Sequence, residues 1–238
     1  MYENFDYIKM SESLDNHLLG PDDFLKLRDM FWGLSTLLYD LGLETPHPRT
    51  ITRIVLDLML HTKRKYHTPV HVIGMFEWAE KHGIKLSKAQ QLAIWFHDSI
   101  YVAVREDSEE RSSLFMKALV GGLVSPEILS EAHRIIISTR YHLVDGMLVI
   151  EGKRISDSEK LVMDLDLSHF AREEEVCLYA DQLVKEEFVP LVREEDYEKG
   201  RIDFFKALLA RKSIYKTDLF KEQFEDKARE NIEKLINT

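Results

Sequence analysis

Helix-breaking residues are sparse in this chain, and their sparseness restricts the folds that it can adopt. Its 238 residues include only six prolines and ten glycines. Nearly every segment between them spaces apolar residues three and four positions apart, which places their side chains on one face of an α-helix. Because 45% of the residues are apolar, a chain of this length can bury one large core. The sequence therefore predicts an all-α fold, arranged as a single-domain helical bundle.

The predicted domain spans residues 21–238 and follows a polar, irregular N-terminal arm at 1–20. Residues 143–155 contain short β-branched runs around Asp145-Gly146. This segment is consistent with a small hairpin or with a loop, and the sequence does not choose between them. The two parts of the predicted domain are a motif-bearing core, at about 64–170, and C-terminal helices, at about 172–236.

Local capping signals predict where several helices begin. A Ser or Thr at the N-cap accepts a hydrogen bond from a backbone N–H of the first turn, and a Glu or Gln three residues later completes a capping box. Proline is favoured in the first turn because it has no N–H to satisfy. The helix starts predicted on these grounds are Thr68-Pro69, Ser87 with Gln90, Ser108, Ser125-Pro126, and Ser156 with Glu159.

The balance of charge excludes some classes of partner. The chain has 42 acidic and 32 basic residues, which is a formal net charge of −10. Such a surface repels a phosphate backbone, so we expect no nucleic acid partner. We also expect no membrane association, because no apolar run approaches the ~20 residues that span a bilayer. The sequence predicts a cytoplasmic protein whose one cysteine, Cys177, lies in the core, and it leaves open whether the chain forms a homo-oligomer.

Histidines and an aspartate cluster in two short stretches, Y-H-T-P-V-H and W-F-H-D. His67 and His71 stand four residues apart in the first, and His97-Asp98 follows an apolar run in the second. An ionised carboxylate buried there costs several kcal/mol unless a cation or hydrogen bonds compensate it. Each pair alone is more often a surface or capping feature, but their joint occurrence predicts a metal site.

The residue types limit the metal. Imidazole suits zinc, nickel, iron and manganese, whereas carboxylate also accepts harder ions such as magnesium. A mixed set of His and Asp that leaves coordination positions open can hold water beside a substrate, as a metal-dependent hydrolase requires. The expected cofactor is a divalent ion of manganese, iron, nickel, zinc or magnesium, present as one or two ions.

His71, His97-Asp98 and the later Asp166 match the H…HD…D pattern of the HD-domain superfamily of metal-dependent phosphohydrolases. The chain resembles in particular a family of uncharacterised predicted phosphohydrolases of similar length, and more distantly the cyclic nucleotide phosphodiesterases. The resemblance covers roughly residues 60–235 and implies a helical domain of HD type. Its matching pieces are R-K-Y-H-T-P-V-H (64–71), W-F-H-D-S-I-Y (95–101), S-E-E-R-S (108–112), I-S-T-R-Y-H (137–142), D-L-D-L-S (164–168) and R-K-S-I-Y-K-T (211–217).

The same resemblance implies roles for individual residues. His71, His97, Asp98 and Asp166 would bind the metal, and Asp98 would also orient the attacking water. His67 would protonate the leaving oxygen, as an imidazole with its ordinary pKa of ~6.5 can do near neutral pH.

Further residues near the motifs have two interpretations each. Glu109 and Glu110 could orient a metal ligand or a metal-bound water, or could simply favour the dipole of a helix N-terminus. Arg64 and Arg140 could hold a substrate phosphate, although solvated surface is the simpler explanation for each alone. His142 could contact the substrate or bind a second metal.

Two residues are expected to have no part in the site. Asp164 lies two residues before Asp166 and so on another side of a helix, where it would act as a cap or a salt-bridge partner. Arg201 could hold a phosphate, but solvated surface is again the simpler explanation.

The sequence thus predicts a metal-dependent phosphohydrolase that cleaves a phosphate ester or anhydride of a small, nucleotide-like substrate. One alternative is a non-catalytic HD-fold protein that senses a nucleotide or binds a partner. Another is a di-iron HD oxygenase, which would need extra ligands such as His142 and Glu110. The full set of four ligand positions favours the hydrolase.

Overall fold

A computed structural model describes residues 32–142, 149–150 and 152–238, and these confirm the predicted all-α class. Residues 32–40 are helical. The helices that follow are α1 (His47–Met59), α2 (Pro69–Lys81), α3 (Lys88–Phe96), α4 (Ser108–Val120), α5 (Pro126–Thr139), α6 (Asp157–Asp166), a 3₁₀ helix (Leu167–Ala171), α7 (Glu174–Phe188), α8 (Glu194–Leu209) and α9 (Asp218–Asn237). Two short strands, β1 (Val149–Ile150) and β2 (Lys153–Arg154), lie between α5 and α6.

Contacts between residues divide the chain into two units, Met1–Ile137 and Ser138–Thr238. The first unit carries α1 to α4 and most of α5, and the second carries both strands, α6 to α9 and the 3₁₀ helix. The single-domain arrangement of residues 21–238 stays a prediction. The predicted arm at 1–20 lies outside the described residues.

Most of the predicted helix starts are confirmed by the capping bonds. The Thr68 hydroxyl oxygen accepts a hydrogen bond from the Val70 N–H at 3.3 Å, and Pro69 is the first residue of α2. Ser87 and Gln90 form a complete capping box, with N···O distances of 3.2 and 2.8 Å. The other confirmed starts are the capping box of Ser156 with Glu159, and Ser125-Pro126.

The helix start predicted at Ser108 is wrong by one residue. Helix α4 begins with Ser108 itself, and Asp107 occupies the N-cap position. Asp107 makes no side-chain cap bond, because its carboxylate binds the guanidinium groups of Arg105 and Arg111 at 2.7 Å each. The Ser108 side chain is buried.

Helices α2 and α3 are buried on most of their surface, and this sets the environment of the histidines. Every residue of α3 from Leu92 to Phe96 is buried, as are Val72, Ile73 and Met75 of α2. A helix that is apolar on nearly all sides lies inside a protein and not on its surface. Because α3 packs against α2 and α4, its C-terminal end lies in the interior of the first unit.

In the second unit, α9 packs against the 3₁₀ helix that directly follows Asp166. The Asn231 side-chain amide donates a hydrogen bond to the Phe170 carbonyl oxygen at 2.8 Å. The Tyr215 hydroxyl donates to the Leu167 carbonyl oxygen at 3.2 Å. These buried bonds fix the end of α6, and therefore the position of Asp166 within this unit.

Residues 143–155, for which the sequence allowed either a hairpin or a loop, contain a hairpin. Val149 pairs antiparallel with Arg154, and Ile150 pairs with Lys153. Gly152 has φ +76°, a conformation that glycine adopts without strain, so the turn falls at this residue. The Asp145-Gly146 pair lies outside the described residues.

The structure describes the environment of Cys177 and the apolar character of the helices. Cys177 is 1% exposed, and burial raises the pKa of its thiol to about 12, which confirms it as a core residue. Among the described helices, none combines the length and apolar character needed to cross a bilayer.

Arg201 is not a solvated surface residue, contrary to the simpler sequence interpretation. Its side chain is only 9% exposed. The guanidinium group donates to both carboxylate oxygens of Asp181, at 2.6 to 2.9 Å, and to the Leu235 carbonyl oxygen at 2.9 Å. It therefore joins α8 to α7 and to the end of α9.

We expect Arg201→Ala to lower the free energy of unfolding by about 3 kcal/mol, because it leaves the Asp181 carboxylate, which is only 17% exposed, without its main partner. Arg193 offers a matched control, since its guanidinium also makes two bonds to a carboxylate, that of Asp196, but its side chain is 76% exposed. Arg193→Ala should cost less than about 1 kcal/mol. Urea denaturation measures both, and equal losses would contradict the structural role of Arg201.

Candidate metal centre

The ends of two helices carry the candidate ligands of the first unit. His71 lies in the first turn of α2, and its N–H donates to the Thr68 carbonyl oxygen at 3.1 Å. His97 is the C-cap of α3, where its N–H donates to the Ala93 carbonyl oxygen at 2.8 Å, and Asp98 follows it. The start of α2 and the end of α3 thus present three side chains to one another.

Three of the four predicted metal ligands are brought together in this unit. The Nε2 atoms of His71 and His97 lie 3.3 Å apart, and Oδ2 of Asp98 lies 2.9 Å from His97 Nε2 and 3.9 Å from His71 Nε2. All three residues are buried, with exposures of 4%, 1% and 7%. This group could hold a metal ion, since one ligand atom from each residue lies within 4.8 Å of the others.

The protonation of His97 follows from its surroundings. Its Nδ1 lies 2.8 Å from the Ile94 carbonyl oxygen, which can only accept a hydrogen bond, so Nδ1 carries the hydrogen. In a neutral ring, Nε2 then presents its lone pair to the Asp98 carboxylate. Such a contact is repulsive unless a metal cation or a second proton lies between the two atoms. Metal-binding histidines are characteristically oriented by this kind of bond from the other ring nitrogen.

The donor set fits a divalent transition metal. Two imidazole nitrogens and a carboxylate oxygen suit zinc, iron, manganese and nickel, whereas magnesium prefers oxygen ligands alone. Three protein ligands from this unit are also fewer than the four to six that these ions take, so positions remain for other ligands, water or substrate. The identity and number of the ions stay predictions.

His67 lies beside this group but in a different setting from His71. It precedes α2, and its ring stacks on that of Tyr101 with a centroid distance of 3.8 Å and an interplanar angle of 24°. Its ring centroid is 6.1 Å from that of His71. The two histidines therefore lie in different settings, and the catalytic role of His67 stays a prediction.

Tyr101 and Tyr66 are residues of this site that the sequence analysis missed. Tyr101 supports the ring of His67, and Tyr66 is buried with its ring centroid 4.8 Å from that of His71. Both aromatic residues belong to the motif pieces R-K-Y-H and W-F-H-D-S-I-Y. Their closeness in sequence to His67 and Asp98 was the available signal.

The basic residues assigned to substrate lie in different units. Arg64, in the first unit, is partly buried and donates to main-chain carbonyl oxygens of Asp98 and Ser99. Arg140, in the second unit, is exposed, and its guanidinium carbon lies 5.9 Å from the centroid of the Tyr141 ring. Substrate binding by either residue stays a prediction.

Glu109 and Glu110 occupy the first turn of α4 and are partly buried. Acidic residues there interact favourably with the positive end of the helix dipole. Both interpretations, a favourable contact with the helix dipole and a role in orienting a metal ligand, stay predictions.

Asp166, the fourth predicted ligand, lies in the second unit, where it pairs with His142. The His142 Nε2–H donates to Oδ2 of Asp166 at 3.0 Å, and both side chains are less than one fifth exposed, at 17% and 14%. Both residues were candidates from the sequence, but their pairing was not predicted. Whether Asp166 joins the His71–His97–Asp98 group stays a prediction.

Asp164 accepts hydrogen bonds from its own partners in the second unit, 52 and 53 residues later in the chain. Its carboxylate accepts from the N–H groups of Lys216 and Thr217 and from the Thr217 hydroxyl, each at 2.7 Å. Burial raises its pKa to about 6, although these three bonds favour the ionised form. Asp164 therefore anchors the segment that leads into α9.

Because Asp164 and Asp166 have different partners, we expect their replacement to have different effects. If Asp166 is a ligand, chelation should lower the melting temperature of the wild type but change that of Asp166→Ala little, since a metal at 100 times its Kd stabilises by about 2.7 kcal/mol. Asp164→Ala should melt lower than the wild type, because it leaves three partly buried donors without their acceptor, yet still respond to chelator. Thermal melts with and without EDTA measure this. The reverse pattern would mean that Asp164, and not Asp166, is the ligand.

No family model, no curated protein and no solved structure matches the chain. The HD-domain family therefore remains a prediction from the motifs.

Proposed function

We propose that this protein is a metal-dependent phosphohydrolase that cleaves a phosphate ester or anhydride of a small, nucleotide-like substrate. One observation carries the proposal: the buried His71–His97–Asp98 group, in which a neutral His97 would direct its Nε2 lone pair at a carboxylate 2.9 Å away. The spacing of these residues in the H…HD…D pattern supports the reaction class.

A bound divalent metal would polarise a phosphoryl oxygen and lower the pKa of a coordinated water from about 15.7 to about 7. His71, His97 and Asp98 would hold the cation, and their burial would limit competing access of bulk water. His97 is oriented for this by its bond to the Ile94 carbonyl oxygen. The carboxylate of Asp98 also accepts a hydrogen bond from the attacking water and so directs it.

His67 supplies the proton that the leaving oxygen needs. Its ring is held by Tyr101 beside the ligand group, and it lies outside the helix that carries His71. An imidazole donates a proton readily near neutral pH, whereas an alkoxide without a proton is a poor leaving group. His67 is thus the general acid in the proposed reaction.

The proposal is tested with protein purified without a His tag and loaded with Mn²⁺ or Zn²⁺. The hydrolysis products are measured by ³¹P NMR on a panel of phosphomonoesters, phosphodiesters and nucleoside di- and triphosphates, for the wild type, Asp98→Asn and Asp57→Asn. Asp57 is the control because it is an exposed aspartate, paired with Arg53 at 3.6 Å. We expect hydrolysis by the wild type and Asp57→Asn and none by Asp98→Asn.

Other outcomes would support the alternatives. A protein that retains metal and binds a nucleotide without hydrolysing it would be a non-catalytic sensor. Two irons per chain with oxygen-dependent turnover would indicate a di-iron oxygenase. Equal rates of hydrolysis by the wild type and Asp98→Asn would contradict the proposed hydrolase.

A further inference from the structure

Arg64 connects the two segments that carry the candidate metal ligands of the first unit. It lies between α1 and α2, three residues before His67. Its Nη1 donates to the carbonyl oxygens of His67 at 3.3 Å and Asp98 at 2.5 Å, and its Nη2 donates to that of Ser99 at 2.8 Å. One guanidinium group therefore holds the start of α2 to the turn that follows α3.

The chemistry of arginine suits this contact. The guanidinium group is planar and always charged, and its N–H groups diverge in a fixed fork, so two nitrogens can reach two neighbouring carbonyl oxygens at once. Hydrogen bonds from a charged donor are about twice as strong as neutral ones. Arg64 is also partly buried, with its guanidinium carbon 5.9 Å from the centroid of the Tyr101 ring.

The turn that Arg64 contacts is held to α3 and α4 by other bonds. The Ser99 hydroxyl donates to the Phe96 carbonyl oxygen at 2.8 Å. The Ser112 hydroxyl, on α4, accepts from the N–H of Ile100 at 3.0 Å and donates to its carbonyl oxygen at 3.1 Å. These bonds fix the turn relative to its own helix and to α4, whereas Arg64 fixes it relative to the segment that leads into His71.

We propose that Arg64 is a positioning residue of the metal centre, which sets the Asp98 carboxylate against His71 and His97 by holding the main chain of residues 98 and 99. This inference rests on the metal site of the proposed function. It differs from the sequence interpretation, in which the arginine holds a substrate phosphate through its charge. Groups that orient metal ligands typically contribute 10- to 100-fold to metal affinity.

Lysine distinguishes the two roles. Arg64→Lys keeps the positive charge and can still bind a phosphate, but its single ammonium nitrogen cannot reproduce the fork between two carbonyl oxygens. If Arg64 positions the metal ligands, Arg64→Lys should weaken metal binding about 10-fold or more with no substrate present. A phosphate-binding arginine predicts unchanged metal affinity.

The experiment is a titration of metal-free protein with Co²⁺, followed by the visible absorption of the bound ion. The samples are the wild type, Arg64→Lys, Arg64→Ala with and without methylguanidinium, and Arg105→Lys. Arg105 is the matched control, because it is a half-exposed arginine of the same unit that binds Asp107. We expect weaker binding and an altered absorption band in Arg64→Lys, partial recovery of Arg64→Ala by methylguanidinium, and wild-type behaviour in Arg105→Lys.

Three results would overturn the inference, and they are distinguishable. Wild-type Co²⁺ affinity and an unchanged band in Arg64→Lys would show that the arginine does not position the ligands. Loss of the helical circular dichroism signal in metal-free Arg64→Lys would show that Arg64 is needed for the fold and has no local role. No Co²⁺ binding by the wild type would remove the metal centre, and with it the proposed function.

Discussion

Replacement of His97 by alanine is expected to remove the metal from the purified protein. His97 supplies a buried nitrogen whose orientation is fixed by the Ile94 carbonyl oxygen, and that nitrogen lies 3.3 Å from His71 Nε2 and 2.9 Å from Asp98 Oδ2. Its loss leaves two ligands in the first unit and a cavity between them. Since even groups that only orient a ligand contribute 10- to 100-fold to affinity, loss of a ligand should exceed about 100-fold. Elemental analysis by mass spectrometry measures the bound metal directly.

A matched control is available within the same unit. His133 is partly buried, and its Nδ1 lies 2.5 Å from the Ser113 hydroxyl, so it is a histidine with a hydrogen-bonded and partly enclosed ring outside the ligand group. His133→Ala should retain the metal content of the wild type. Asp98→Ala should lose it, as His97→Ala does. Equal metal in the wild type, His97→Ala and Asp98→Ala would contradict the site, and the His97–Asp98 contact would then be that of an imidazolium with a carboxylate.

His67→Ala is expected to keep its metal and to lose about 10²- to 10⁴-fold in activity, the usual contribution of a general acid. The loss should be largest with substrates whose leaving group is an alkoxide, because an alkoxide needs a proton to depart. It should be small with p-nitrophenyl phosphate esters, whose leaving group is stable as an anion. Steady-state rates on both kinds of substrate, with metal content measured on the same samples, make the comparison.

His61→Ala serves as the control for this experiment. His61 is an exposed histidine in the same connection between α1 and α2, and its Nδ1 accepts a hydrogen bond from the Lys63 N–H at 3.4 Å. It should match the wild type in metal content and in both rates. Metal loss in His67→Ala equal to that in His71→Ala would show that His67 is a ligand and not an acid.

Features determined within a few residues could be predicted from the sequence. The N-cap of α2 at Thr68 and the capping box of Ser87 with Gln90 depend on groups two or three positions apart, so composition and order suffice to place them. The bond that orients His97 is equally local, since its partner Ile94 lies three residues earlier, but it was not among the predictions. The all-α class likewise follows from periodic apolar residues with few interruptions.

The candidate ligands of the first unit could also be foreseen, for a different reason. His71 and His97-Asp98 are residue types with a restricted chemistry, and their setting in apolar surroundings leaves few uses for them. Their residue types therefore pointed to a shared site before any distance was known. The start of α4 was predicted one residue too late, since Asp107 and not Ser108 occupies the N-cap position, and the Asp107 carboxylate pairs with Arg105 and Arg111.

Only the tertiary structure decided which partners the charged side chains take. Arg64 reaches the carbonyl oxygen of Ser99, 35 residues later, and Asp164 accepts hydrogen bonds from Thr217, 53 residues later. Arg201, expected at the surface, is buried against Asp181. A charged side chain could bind many groups on the helices that pack around it. Which group it binds depends on how the whole core packs. Local sequence carries the chemistry of these residues, whereas the helix packing assigns them their partners.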